Sequence, residues 1–472
     1  MKKNNRLLRF SIVAIIIFLS SITNVAGKPS RLTTSLQFSD DWIPGNALGQ
    51  PGFVGYGNFT NKEYDEILLV SRIPEGTDAM TLCYYDGVNL TVEGSKDKDF
   101  SAVYNEMIAD FDGDGDDEVL VSEDWAEEMG AHLGSVHHLF DYKDFRFVQN
   151  TSYYYSNPDI IIDRGLAVDL DENNDSELIL ATWDSENNTE LVRAFDYVNE
   201  TFVQITNITY QLLEVDIYYR SILYLGFGDF NGDSQQELIV FSKWTYNYAP
   251  GTFFYSFEVY SYDNSLQQIT HEFSGRINVF ESELDMFHSD IDQDGKDELF
   301  VYYDRVTEPR YSVYEISPIE VKLEFEGTRS QSNYDTTDYY VIDILPRDVD
   351  LDGVAEIIFI EANNDFEGEF KGRVEIYQYS SNNIESICLE SFLKSPTDVF
   401  IADINTNSAF EIVTVYNDYS DEFLTKGGIE IWSIIDDESN RFPIFSGIID
   451  YLLIIGGPIL LLTIITMKRK SK

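Results

Sequence analysis

The residues best placed to do chemistry in this chain are carboxylates. Asp110 to Glu118 reads DFDGDGDDE, six carboxylates in nine residues. Numbered from its first aspartate, the stretch offers side-chain oxygens at positions 1, 3, 5 and 9, with glycine at 6. Alternate residues of a tight loop turn to one side, so the odd positions converge, and a cation is the obvious candidate to offset so much like charge, with a solvated acidic turn as the alternative. Hard oxygen ligands in that number suit Ca²⁺, which takes six to eight oxygens at about 2.3–2.6 Å, better than Mg²⁺, which demands stricter octahedral geometry. Glycine at position 6, as at Gly115, Gly295 and Gly353, allows a sharp backbone turn. An EF-hand is excluded, because its bidentate glutamate stands at position 12 between helices.

The elements that must position these loops repeat with them. Aligned on the closing glutamate, related stretches end at Glu66, Glu118, Glu177, Glu237, Glu298, Glu356 and Glu411, at intervals of 52, 59, 60, 61, 58 and 55 residues. A short β-rich apolar run follows each glutamate: ILLV, VLVS, LILA, LIVF, LFVY, IIFI and IVTV. A second run often ends in an aromatic and Asp, a third run succeeds it, and an apolar segment precedes each loop. Four strands per repeat, seven times over, predict an all-β fold, a seven-bladed β-propeller. The last repeat has only three strands, and Arg31 to Asp40 is expected to supply its outer strand and close the ring.

The loops resemble those of the FG-GAP (VCBS-like) repeat family, which builds the integrin α-type propeller and many bacterial and archaeal surface proteins. The resemblance covers nearly the whole segment 31–441. It implies that side chains at positions 1, 3, 5 and 9 and the carbonyl of position 7 bind Ca²⁺. The implied ligands are Asp110, Asp112, Asp114, Asp116 and Glu118 in the second repeat, and Asp290, Asp292, Asp294, Lys296 and Glu298 in the fifth. In the sixth they are Asp348, Asp350, Asp352, Val354 and Glu356. With one amide substitution each, the third offers Asp169, Asp171, Asn173, Asp175 and Glu177, and the fourth Asp229, Asn231, Asp233, Gln235 and Glu237. These make five sites. Asp403, Asn405, Asn407 and Glu411 carry two formal charges and imply a weaker sixth. The first loop offers Asn58, Thr60, Lys62 and Glu66; its lysine cannot ligate a cation, and its ammonium is expected to replace the metal by pairing with Glu66 and the Asn58 amide oxygen. No Gly-Ala-Pro tripeptide occurs, and Phe-Gly precedes a loop only at Phe227 and Gly228.

Composition narrows the function. With 32 basic against 83 acidic residues, the net charge of −51 repels nucleic acid and favours divalent cations or basic partners. Hydrophobic residues at 43 % and aromatics at 14 % exclude a disordered acidic chain. Residues 1–27 read as a secretory signal peptide, with an uncleaved anchor as the alternative. Residues 442–467 read as one transmembrane helix, followed by a short basic cytoplasmic tail at 468–472, with a processed sorting tail as the alternative. The propeller would then lie outside the cell, held at the membrane. Seven Asn-x-Ser/Thr sequons agree with an exported surface. The two cysteines, Cys83 and Cys388, fall in blades that are not neighbours and are expected to be free thiols.

The chain leaves the seventh blade on the loop face, close to the membrane segment, so the opposite rim is expected to face outward. Trp125, Trp183 and Trp244, six or seven residues after their motif glutamates, fall on that rim beside Arg72, Arg305, Tyr246 and Tyr248. They suit recognition of an extracellular protein or glycan, with blade-to-blade packing as the alternative. His132, His137 and His138 read as a surface loop rather than a zinc site. No nucleophile elbow, phosphate-binding glycine loop or HExxH pair occurs. An adhesion or ligand-binding module is therefore the leading reading; a polysaccharide-degrading propeller enzyme and a purely structural envelope component are the alternatives.

Overall fold

A computed structural model describes residues 32–436, apart from 41–49, 73–77, 99–102, 127–131, 156–159, 185–188, 212–216, 247–252, 278–283, 304–309, 329–338, 364–371, 381–382, 392–393, 406–408, 419–425 and the single positions 61, 63, 145, 267 and 352. The expected signal peptide, membrane segment and basic tail lie outside the described residues. The body of the protein is Thr34–Ile434; a second unit, Met1–Thr33 with Ile435–Lys472, falls almost wholly among residues not described. Among the described residues there are 28 strands, and no helix is long and apolar enough to cross a membrane.

The strands form seven four-stranded antiparallel sheets. In the first blade they are Gln50–Gly57, Glu66–Arg72, Asp78–Tyr85 and Leu90–Lys98, paired in that order. Blades 2 to 6 follow in chain order, at 103–155, 160–211, 217–277, 284–328 and 339–391. The seventh pairs Pro396–Ala402, Glu411–Asp418 and Lys426–Asp436 with Leu32–Asp40 as its outer strand. The start of the chain thus closes the last blade, as the three-stranded final repeat predicts. Each blade's inner strand packs against the inner strand of the next, and the seventh against the first, so the ring is complete.

Every second strand begins at its motif glutamate, and its alternating side chains serve two interfaces. In blade 1, Ile67 and Leu69 join the core shared with blade 7, while Leu68 and Val70 join the core shared with blade 2. Blade 4 repeats the division: Leu238 and Val240 face blade 3, and Ile239 and Phe241 face blade 5. A strand buried on both faces has no polar side, which explains why the runs after each glutamate are continuously apolar rather than alternating. Their β-branched and aromatic residues suit such a surface.

Two expectations about single residue types resolve here. Cys83 and Cys388 are buried and unpaired by disulfide, on the third strand of blade 1 and the outer strand of blade 6; burial pushes both thiols up to about 12. The histidines are not in a surface loop. His132, His137 and His138 lie on the strand His132–Lys143, and His137 and His138 are buried. The ring of His137 shares a hydrogen bond of 2.7 Å with the Ser122 hydroxyl, and burial lowers its pKa to about 3, so it stays neutral. The run that ends in Phe140 and Asp141 matches the expected third strand of its repeat, and the histidines belong to that strand.

Phe359 lies between the fifth and sixth blades, 1 % exposed, with ring centroids of Tyr302 and Tyr377 both 5.4 Å away. Replacing it with alanine removes an inter-blade contact that no neighbour refills. Phe359→Ala is expected to lower stability by about 3–5 kcal/mol in denaturant unfolding; a loss below about 1 kcal/mol would mean that the interface is not close-packed.

Candidate metal centres

The acidic loops join the inner and second strands, and one hydrogen bond recurs in all seven. Oε2 of the position-9 glutamate accepts the backbone N–H of position 2, from Phe59, Phe111, Leu170, Phe230, Ile291, Val349 and Ile404, at 2.7–3.3 Å. Each position-2 side chain is buried. It anchors the loop in the core and pulls the glutamate inward with it. Position 2 is the element that sequence analysis missed; its signal is an apolar residue, seven times, between two polar ones.

The aspartate at position 1 organises the turn. Its Oδ2 accepts the N–H of position 6 from Gly115, Asn174, Ser234, Gly295 and Gly353 at 2.8–3.1 Å. In these five loops positions 4 and 6 both have positive φ, from +58° to +92°. The expected turn at position 6 is thus one of two left-handed residues, and Glu172, Gln293 and Leu351 adopt the other without being glycine. Between blades, the N–H of position 8 donates to the carbonyl of position 1 in the preceding loop: Asp117 to Asn58 at 2.8 Å, Ser176 to Asp110 at 2.7 Å and Asp297 to Asp229 at 2.8 Å. Gly228 is required by this approach, since a Cβ there would strike the Asp297 carboxylate.

The structure brings the predicted ligands together. Oxygens of Asp110, Asp112 and Glu118 lie within 4.8 Å of one another, as do those of Asp169, Asp171 and Glu177, of Asp229, Asp233 and Glu237, and of Asp290, Asp292 and Asp294. That spread is spanned by one ion bonded at about 2.3–2.6 Å to each oxygen. In the sixth loop Asp348 and Glu356 take the same backbone hydrogen bonds, while Asp352 lies outside the described residues, as does Asn407 of the seventh.

Burial sets the electrostatics. The position-9 glutamates are at most 1 % exposed, and burial raises Glu118 to about 9 and Glu177 and Glu298 to about 8, with the loop aspartates adding to the rise. These three loops carry aspartate at position 3. Where position 3 is asparagine, its amide donates to the glutamate: Asn231 to Glu237 at 2.8 Å and Asn405 to Glu411 at 2.9 Å. Burial raises Glu237 and Glu411 only to about 7.

The first loop places an ammonium beside its glutamate. Lys62 Nζ lies 3.3 Å from Glu66 Oε1 and 2.7 and 2.6 Å from the two oxygens of Glu93 on the outer strand. Thr60 also donates to Glu66. The expected lysine pairing with Glu66 is present, but the Asn58 amide turns away, donating instead to the Gly115 carbonyl of the next loop at 3.0 Å. Glu93 was missed because it lies 31 residues from Lys62 in sequence. Other sheet-borne acids were missed too. Burial raises Asp112, Asp116, Glu118, Asp171 and Glu177, and the negative charge of Asp141 adds to the rise of the first three as that of Asp196 does for the last two. The aromatic-Asp ending of their strands was the visible signal.

The tryptophans do not form a matched set. Trp125 and Trp244 stand seven residues after their glutamates and Trp183 six, so Trp183 is one register step out of phase. Trp244 is buried, stacked on Phe254 at 4.8 Å and lying 5.1 Å from the Arg276 guanidinium. It is a packing residue and not part of an exposed ligand rim. The side chains of Trp125 and Trp183 lie outside the described residues, as do most loops of that rim.

Fold and loops together define a seven-bladed β-propeller with carboxylate-lined inner turns. No family model matches the chain, and no curated protein does. Similar solved structures include the Dos1 propeller, at 10 % identity and a TM-score of 0.43 over 82 % of this chain and 78 % of that one. The exotype rhamnogalacturonan lyase YesX matches at 12 % identity and a TM-score of 0.43 over 81 % and 72 %. Saccharomyces cerevisiae Sqt1 matches at 10 % and 0.42 over 87 % and 100 %.

Two outcomes follow from the loop electrostatics. Without cations the folded protein holds protons on these glutamates up to about pH 7–9, whereas the unfolded chain releases them near 4.5. The folded state therefore binds more protons between those limits, and stability falls as pH rises through the window. In chelator the melting temperature should decline from about pH 5 to about pH 9, and saturating Ca²⁺ should remove the decline; a rise with pH in chelator would contradict the burial of these groups. Separately, Lys62→Asp leaves Glu66 and Glu93 without their ammonium and supplies an oxygen at position 5. Calcium stoichiometry should increase by one ion, with greater sensitivity to chelator; unchanged stoichiometry would show that the lysine does not stand in for a metal.

Proposed function

We propose that this protein is a calcium-stabilised, membrane-anchored surface propeller of the FG-GAP type that presents its outward rim to an extracellular protein or glycan. The observation that carries the calcium reading is the buried position-9 glutamate. In the second, third and fifth blades it faces an aspartate at position 3 in place of a donor, and nearby oxygens converge within reach of one ion. A bound divalent cation supplies the positive charge that these carboxylates need. Asp110, Asp112, Asp114 and Glu118 would hold it in blade 2, with equivalent sets in blades 3 to 6 and a weaker one in blade 7.

The chain's own residues do the rest. Position 2 seats each turn in the core, position 1 shapes it, and position 8 links it to its neighbour, so filling one loop stiffens the next. A surface location agrees with the apolar segments at the two ends and with the acidic, aromatic-rich body. The sites are structural under this reading, because side chains and carbonyls fill them and leave no open position for substrate.

The test uses the full chain in detergent, melted with Ca²⁺ and with chelator, and screened against glycan and surface-protein arrays in both states. Ca²⁺ should raise the melting temperature by well over the shift of one weak site, because several ions bind only the folded form, and array binding should require Ca²⁺. An unchanged melting temperature would overturn the calcium reading, and array binding absent in both states would overturn the ligand-presenting role.

A further inference from the structure

The outer strands carry a feature that the loops alone do not explain. In six blades the pairing of third and outer strands slips at one place, leaving one extra outer-strand residue: Glu93, Asn150, Ile205, Glu272, Glu324 or Ile387. A bulge re-aims the side chain of its extra residue. In three blades that residue is glutamate, and each of the three reaches its own blade's loop. Lys62 joins Glu93 to Glu66. The Asn231 amide joins Glu272 at 3.3 Å to Glu237 at 2.8 Å. Glu324 places an oxygen within 4.8 Å of Asp292 and Glu298.

The first and fourth blades thus show what belongs between the two glutamates, a positive ammonium in one and an N–H donor in the other. Blade 5 has neither, since positions 3 and 5 are Asp292 and Asp294. Glu298 is 1 % exposed, yet its Oε1 has no hydrogen-bond partner. The buried Oε2 of Glu324 has none either, while its Oε1 accepts from Lys322 Nζ at 2.8 Å. Two unpartnered carboxylate oxygens in one buried place are costly, and a cation between them satisfies both.

We propose that the cation of the fifth loop is ligated by Glu324 from the outer strand as well as by Asp290, Asp292, Asp294 and Glu298, so that the ion ties the inner turn to the outer edge of the blade. This rests on the reading of the loops as calcium sites. Asp292 belongs to both carboxylate groups and joins them. Glu324 brings the carboxylates of this set to five, one more than the loop itself supplies, and ligand charge raises calcium affinity.

The test strips the full chain with chelator and titrates it with Ca²⁺ by equilibrium dialysis and calorimetry. Glu324→Gln should weaken one ion of the parent's complement about tenfold or more, leaving the others unchanged. The exposed neighbour Glu326, 3.8 Å from Arg310, supplies the control, and Glu326→Gln should change no site. Hydrogen exchange gives an independent readout. Ca²⁺ should protect Val321–Thr328 in the parent but not in Glu324→Gln, and should protect Asn383–Ser391 less, because its bulge residue is Ile387. A parent that binds no Ca²⁺ would overturn the loop reading itself. If the parent binds and Asp292→Asn loses an ion, while Glu324→Gln keeps every affinity and the protection of its outer strand, the outer-strand ligand alone is wrong.

Discussion

In all seven blades a glutamate is carried into the interior where the inner turn becomes the second strand. It is held there by one backbone N–H, that of the apolar residue two positions into the loop. Burying a carboxylate is costly unless it is paired, so each blade must answer the same electrostatic problem at the same spot. The remaining architecture of the loop follows from that constraint. Position 1 gathers backbone N–H groups, positions 4 and 6 take left-handed conformations to present them, and positions 3 and 5 decide what neutralises the glutamate.

Six of the blades answer in three ways. Blade 1 uses a lysine and a threonine; blades 4 and 7 carry an asparagine that donates to the glutamate, blade 4 gathering a cluster of carboxylate oxygens as well; blades 2, 3 and 5 present aspartates and gather a cation-sized cluster of oxygens. One fold therefore carries loops that meet the same buried glutamate with different neighbours. The ring tolerates this because its cores lie between blades, with each second strand shared by two of them, while the loops bind to one another through position 8. Adjacent loops are thereby tied through backbone contacts rather than through a separate element.

Much of this was legible in the residue order. The glutamate period gave seven units, the apolar run after each glutamate marked the second strand, and the three-stranded last repeat required Arg31 to Asp40 to close the ring. These signals are local: a strand buried on both faces must be apolar at every position, and a closing strand must be absent from one end to be supplied by the other. Lys62 was legible for the same reason, since a fixed positive charge at a ligand position cannot be read as a ligand.

Only the tertiary structure decided which residues far apart in sequence meet the loops. Glu93, Glu272 and Glu324 lie in outer strands, 27, 35 and 26 residues past their motif glutamates, and they reach the loops only because a bulge inserts one residue into the pairing. Trp244 looked like a rim residue and is buried against Phe254; His137 looked like a loop residue and is a neutral core side chain on a strand. The sequence by itself determined the repeat, the strand order and the chemistry of each loop, because these depend on neighbours within about ten residues. Register and bulge placement determined the partners of that chemistry, because shifting a strand by one residue reverses which side chains face the site.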